Sequence, residues 1–307
     1  MGGPIFFTTA DESVHLDDAT RADMRGSYIR CADGVTHYEL AGPEEGPLVL
    51  LAGGLTIPLY YWDDFAAQLH AHGFRTLAYS GFGRGYSDRV RGSYDADMFD
   101  RQLADLVERL QLAPRHVVGS SLGAVVAMRF ALHHPELESL SIIGPAGLAP
   151  KPMPLTRLLR RARLGAFVGR HLGPRMLRAH MAHNVRAGVV RDRLTKMVLD
   201  CYRVEGSMYA LCATLASFPL ARQHELYRRV GELGIPIALL WGDDDQVTPA
   251  AHLAQARGLL SPAACELLEG CGHMVPLERP DASARIVAEF MGREGYRNEA
   301  HEARKRP

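Results

Sequence analysis

The chain has no surplus of either charge, with 35 Lys and Arg residues against 35 Asp and Glu. A zero balance provides no global field for a polyanion, so nucleic acid is not an expected partner. Long apolar runs are also missing. The longest, such as Pro47–Leu51 and Ile235–Trp241, are strand-length, whereas a membrane-spanning helix needs roughly 20 residues. Cysteine is scarce: Cys31, Cys201, Cys212, Cys265 and Cys271 are odd in number and scattered, and no C-x-x-C occurs. That excludes a disulfide scaffold and points to reduced thiols in a reducing compartment. Met1–Asp18 lacks a basic start followed by a long apolar run, so it does not read as a signal peptide, and a cytoplasmic location is expected. There is no internal repeat and no low-complexity tract. With 47% hydrophobic and 23% charged residues the chain is not disordered either.

What is present is an alternation of short apolar runs and helical patterns. Tyr28–Cys31 and Val35–Leu40 read as strands around an Ala32-Asp33-Gly34 turn. Leu48–Leu51 is apolar throughout, as a strand buried on both faces should be. A helix over Tyr60–His70 follows, then a strand at Thr76–Tyr79, a helix over Phe99–Leu110, and a strand at His116–Val118. Leu122–His133 reads as a helix and Leu140–Ile143 as a strand. This order predicts an α/β fold, a parallel sheet with helices on both faces.

The pattern breaks at residues 145–154, which hold four prolines. Helical patterns alone then fill the chain to Gly234: Leu155–Phe167, Pro174–His183, Val189–Met208, Leu211–Ser217 and His224–Leu233. Alternation resumes with strands at Ile237–Trp241 and Glu266–Glu269 and helices at Ala250–Leu260 and Asp281–Met291. The tail Gly295–Pro307 is polar and reads as frayed. The expected organisation is a core in two parts, residues 1–149 and 235–307, interrupted by an all-helical cap at 150–234. Charge divides at nearly the same boundary. Residues 151–234 contain sixteen Lys and Arg against five Asp and Glu, and the remainder carries the compensating negative excess. Helices with solvated arginines account for this, and so does a basic lid facing anionic substrates or a membrane surface.

The stretch His116–Val126 contains Gly119-Ser120-Ser121-Leu122-Gly123, a G-x-S-x-G string between a strand and a helix. A nucleophile at a sharp strand-to-helix turn crowds the positions two residues away on either side, and glycine relieves that crowding. Only Ser121 has glycine at both. A serine hydroxyl needs a base. His273, in the glycine-rich loop Glu269–Pro276, is the candidate among fourteen histidines. His180 and His183 share a helical face but have no evident third partner for a metal. The base needs a carboxylate. Asp243-Asp244-Asp245 follows the strand at Ile237–Trp241, with Asp245 at the loop apex and Asp244 as the alternative. The di-glycine turn Gly53-Gly54 frees backbone N–H groups for an oxyanion, with the N–H groups of Leu55 and Leu122 as the expected donors.

With these residues in view, the chain resembles the α/β-hydrolase superfamily over nearly all of residues 27–292. The resemblance rests on G-G-L-T-I-P (53–58), G-F-G-R-G-Y-S-D-R (81–89), G-S-S-L-G (119–123), G-D-D-D-Q-V-T-P (242–249) and G-C-G-H-M-V-P-L-E-R-P (270–280). It implies an eight-stranded, mostly parallel sheet with a helical cap after the sixth strand. It also implies a Ser121–Asp245–His273 triad with the oxyanion roles named above. One departure is Gly53, where relatives commonly carry histidine. The 81–85 glycines lack G-x-G-x-x-G spacing and read as a structural loop, and Cys271 reads as a small buried residue.

The expected chemistry is acyl transfer to water with no metal or organic cofactor. The substrate is a small-molecule carboxylic ester, for instance an acylglycerol or a lysophospholipid-like ester. The cap residues Leu155, Phe167, Met176, Met181, Met208 and Phe218 suit an apolar acyl chain. The same residues also permit carbon–carbon or thioester hydrolysis, a lyase or cyclase reaction, or ligand binding without turnover.

Overall fold

Runs that are apolar at every position form the centre of a single sheet. In a computed structural model, residues 4–186 and 188–303 are described, apart from the side chains of 182, 183 and 294–303. The strands are β1 (Ser27–Arg30), β2 (Val35–Ala41), β3 (Leu48–Ala52), β4 (Arg75–Tyr79), β5 (His116–Ser120), β6 (Ser139–Ile143), β7 (Ile237–Gly242) and β8 (Ala264–Leu268). Their order across the sheet is β1-β2-β4-β3-β5-β6-β7-β8. β2 runs antiparallel to both its neighbours and all other pairs are parallel. Every residue of β3, β5, β6 and β7 is buried. Such burial on both faces is what an alternation-free apolar run requires.

The helices are α1 (Asp18–Ala22), α2 (Asp63–Ala71), α3 (Ala96–Arg109), α4 (Leu122–His133), α5 (Pro154–Leu159), α6 (Ala162–Asn184), α7 (Gly188–Cys201), α8 (Ser207–Ser217), α9 (His224–Gly231), α10 (Leu253–Leu260), α11 (Val275–Glu278) and α12 (Pro280–Ala303). α2 packs with α12, and α3, α4, α9 and α10 pack in sequence with one another. α3 is a clear case of local cause. The Asp95 side chain caps its N-terminus through the Met98 N–H at 3.0 Å, and its apolar stripe of Phe99, Leu103 and Leu106 is buried.

Five helices, α5–α9, lie between β6 and β7. α5, α6 and α8 pack together, and α7 packs on α6. α9, within the segment expected to be cap, packs instead on α4 and α10. The cap also takes in the start of the chain. Phe7 stacks edge-on against Tyr209, and Val14 bridges to Val204. The buried Glu12 carboxylate accepts the Gly206 and Met208 N–H groups at 2.9 and 2.7 Å, at the otherwise uncapped N-terminus of α8.

Several boundaries differ from the sequence pattern. The Leu155–Phe167 helix divides at Arg160–Arg161, and α6 then runs straight through Pro174, which had been expected to start a new helix. Close packing overrides the proline: a Cβ on Gly173 would lie 2.7 Å from Met208 Cγ, so this turn is pressed against α8. The helix expected over Val189–Met208 stops at Cys201, where the Val14 bridge and left-handed Gly206 (φ 83°) redirect the chain. The tail expected to fray continues α12 to Ala303, and 304–307 lie outside the described residues. All five cysteines carry free thiols. Among the described residues, no helix is long and apolar enough to cross a membrane.

Two of the buried histidines are held by neutral partners. His37 lies between the Ser80 hydroxyl and the Arg25 carbonyl, and His116 lies 2.9 Å from the Ser139 hydroxyl. Burial lowers both to about 4. The unfolded chain takes up protons at these sites near pH 6.5 and the native chain does not, so stability falls as pH drops from about 6.5 towards 4. At pH 5 the loss is about 2 kcal/mol per histidine. Urea midpoints measured at pH 7 and 5 will show this fall, and His116→Gln will remove roughly half of it.

Candidate active site

The G-x-S-x-G segment forms the turn its glycines demand. β5 ends at Ser120 and α4 begins at Leu122, so Ser121 alone makes the reversal, at φ 57° and ψ −119°. A non-glycine residue held there stores backbone strain. A Cβ on Gly119 would lie 2.6 Å from the Gly123 carbonyl oxygen, and one on Gly123 would overlap the Ala52 carbonyl. Ser120 points elsewhere: it is buried, with its hydroxyl 3.3 Å from the Tyr61 hydroxyl.

The three consecutive aspartates separate cleanly. Asp243 accepts the Cys271 N–H at 3.1 Å and so fixes the glycine-rich loop. Asp244 is half-buried and faces Arg186 at 3.4 Å. Asp245 is buried, with Oδ2 2.7 Å from Nδ1 of the buried His273. An Nδ1–H donated to this carboxylate leaves the Nε2 lone pair available. Thr248, within the 242–249 motif, completes the arrangement. The Thr248 and Val247 N–H groups donate to Asp245 Oδ1 at 2.8 Å each, and the Thr248 hydroxyl lies 2.8 Å from Oδ2. Burial alone pushes the Asp245 carboxyl up. The facing His273 and the Thr248 donors more than offset this and hold it below the usual carboxylate range.

Ser121, His273 and Leu55 line one cavity of about 330 Å³, roofed by cap residues including Met153, Arg160 and His180. Among the described residues no hydrogen bond joins the Ser121 hydroxyl to His273. Such contacts commonly tighten only when substrate binds. Leu122 opens the first turn of α4, where N–H groups have no intrahelical acceptor. On the other side of the cavity, bare Gly54 lies against Ser121, with room for a Cβ only 3.2 Å from that of the serine. The Leu55 carbonyl is held at 2.8 Å by Nε of Arg84. This arginine comes from the 81–89 loop and is fully buried. It also donates to the Phe82 carbonyl and the Thr214 hydroxyl, so it links the di-glycine turn to cap helix α8. A side chain at Gly53 would meet Ile57 and the Trp62 indole nitrogen, a buried donor without a partner.

A family model described as alpha/beta hydrolase fold matches residues 46–280. The chain is a member of the alpha/beta hydrolase fold family. Among its relatives, the monoacylglycerol lipase ABHD6 of Bos taurus is 27% identical, over 87% of this chain and 82% of that protein. The 2-hydroxy-6-oxononadienedioate/2-hydroxy-6-oxononatrienedioate hydrolase of Burkholderia vietnamiensis is 25% identical over 92% of this chain and 99% of its own. A thermophilic esterase from Thermogutta terrifontis superposes with a TM-score of 0.75 at 19% identity, covering 88% of this chain and 99% of the esterase. The expected eight-stranded, mostly parallel sheet is the one observed.

Two further residues of this alpha/beta hydrolase were not singled out from sequence. Asn184 ends α6, and its carbonyl accepts the His273 N–H at 3.1 Å. Asn184 is among the residues around the cavity, and its side-chain amide is fully buried, with neither polar atom hydrogen-bonded. Arg84 is the other, and a lone arginine between glycines carries no pattern that announces it. Cys271 is buried and its thiol is pushed up to about 12, so it is no nucleophile. His180 lines the cavity, and the His183 side chain lies outside the described residues. Among the described residues no group of three or more His, Cys, Asp or Glu could hold a metal.

The strain at Ser121 is measurable. Ser121→Gly removes the Cβ penalty and will raise stability by about 1–2 kcal/mol, or roughly 2–4 °C in Tm. Ser121→Ala keeps the penalty and will leave Tm close to that of the native chain.

Proposed function

We propose that the protein is a serine hydrolase that cleaves carboxylic esters through an acyl-enzyme. Ser121 attacks the carbonyl, and Nε2 of His273 takes its proton and returns it to the leaving alcohol. Asp245 holds the imidazole and stabilises its charged form. The N–H groups of Leu55 and Leu122 receive the developing oxyanion. Water then repeats the sequence to release the acid. The observation that carries this reading is the buried Asp245–His273 pair in the wall of the cavity that the strained Ser121 also lines.

The proposed substrate is an ester with an apolar acyl chain, such as an acylglycerol or a lysophospholipid-like ester. A second cavity of about 220 Å³ adjoins the first and shares Leu55, Thr56, Met153 and His180 with it. Its remaining lining is almost wholly apolar, including Leu155, Leu159, Val168 and Met176. Of the six cap residues expected to suit an acyl chain, Leu155, Met176 and Met208 line this cavity and Phe218 lines the first. Met181 is buried, and Phe167 faces solvent. A carbon–carbon hydrolase acting on an anionic keto acid is the second reading. It is favoured by Lys151 and Arg160 at a cavity whose lining holds no Asp or Glu.

A fluorophosphonate probe will label the native chain and not Ser121→Ala. Absence of label on the native chain removes the hydrolase reading. Across p-nitrophenyl esters from acetate to palmitate, kcat/KM will rise with chain length, and Val168→Phe will move the optimum to shorter chains with little effect on acetate.

A further inference from the structure

One surface feature has no part in the chemistry. From Ser139 to Arg191 the chain contains no Asp or Glu and ten Lys and Arg. The same stretch holds six of the eight large hydrophobic side chains exposed among the described residues: Met153, Leu164, Phe167, Leu172, Met176 and Val189. Phe167 is 61% exposed, Met153 47% and Leu164 38%. On α6, Leu164 and Phe167 stand one turn apart, and Arg163 and Arg170 flank Phe167 at helical neighbour positions. Arg178 and Arg186 reach carboxylates at Asp11 and Asp244, but among the described residues Arg163, Arg170 and Arg175 pair with none.

Aliphatic and aromatic groups interleaved with unneutralised cations on an exposed helix match the chemistry of an anionic lipid surface. The hydrocarbon enters the headgroup layer and the guanidinium groups meet its phosphates. A second copy of this face would bring like charges together. A nucleic acid would use the cations and leave Leu164 and Leu172 without purpose. Lys151, Met153 and Arg160 of the same stretch line the catalytic cavity, and Met153 and Met176 line the apolar one. We propose that the cationic, partly apolar face of α6 centred on Leu164 and Phe167 docks on anionic phospholipid bilayers. This docking does not depend on the reaction catalysed.

The test is co-sedimentation of the full chain with phosphatidylcholine vesicles, with and without phosphatidylglycerol. Binding is expected to be about tenfold or more tighter with phosphatidylglycerol and to weaken with added salt. Leu164→Ser with Phe167→Ser, and separately Arg163→Glu with Arg170→Glu, will each weaken it by about tenfold or more while leaving Tm unchanged. Phe167→Trp supplies a reading that needs no disruptive change. Trp62 and Trp241 are fully buried, so a blue shift of emission with anionic vesicles will report the new indole entering the lipid. No sedimentation with anionic vesicles, undiminished binding by both double variants, or unchanged emission overturns the proposal. So does retention on a DNA duplex that survives loss of Leu164 and Phe167, which assigns the face to polyanions. A dimer in place of vesicle binding assigns it to self-association.

Discussion

A carboxylate taken out of water must find its solvation in the protein, and at Asp245 that requirement organises much of the molecule. Its two oxygens are satisfied by Val247, Thr248 and His273. The loop after β7 must therefore close on itself while the loop after β8 presents its imidazole. Asp243 holds the second loop through Cys271, and the Asn184 carbonyl holds the His273 backbone from the cap side. His273 is thus held from three directions.

The elbow at Ser121 obeys a different constraint, steric rather than electrostatic. β3, β5 and the start of α4 approach so closely that glycine is needed at 119 and 123, and the strain falls on the residue between them. This is why the elbow could be read from five letters. A clash that only glycine avoids leaves its mark locally in the sequence. β3 and β7 were legible for a similar reason, because burial on both faces leaves only apolar side chains and glycine there, whereas β5 and β6 keep buried polar residues at His116, Ser120, Ser139 and Ser141.

Other parts left weaker marks. Asp245 could be separated from Asp244 only by where three adjacent side chains turn, and that is settled by contacts with residues far along the chain. Pro174 was a sound local signal for a helix start and was overridden by packing of α6 on α8. Arg84 and Asn184 escaped notice because their importance lies in what surrounds them: three neutral oxygens around a buried guanidinium, and an amide with no partner. Neither condition is written in the neighbouring sequence.

The carboxylate of Glu12 at the head of α8 has a consequence for the energetics of the cap. Residues near the start of the chain serve as the terminal cap of a helix almost two hundred positions later, so this part of the cap and the amino-terminal segment open as one unit. Peeling away the chain's own beginning therefore costs α8 its end group and leaves the Gly206 and Met208 N–H groups without the acceptor they have here.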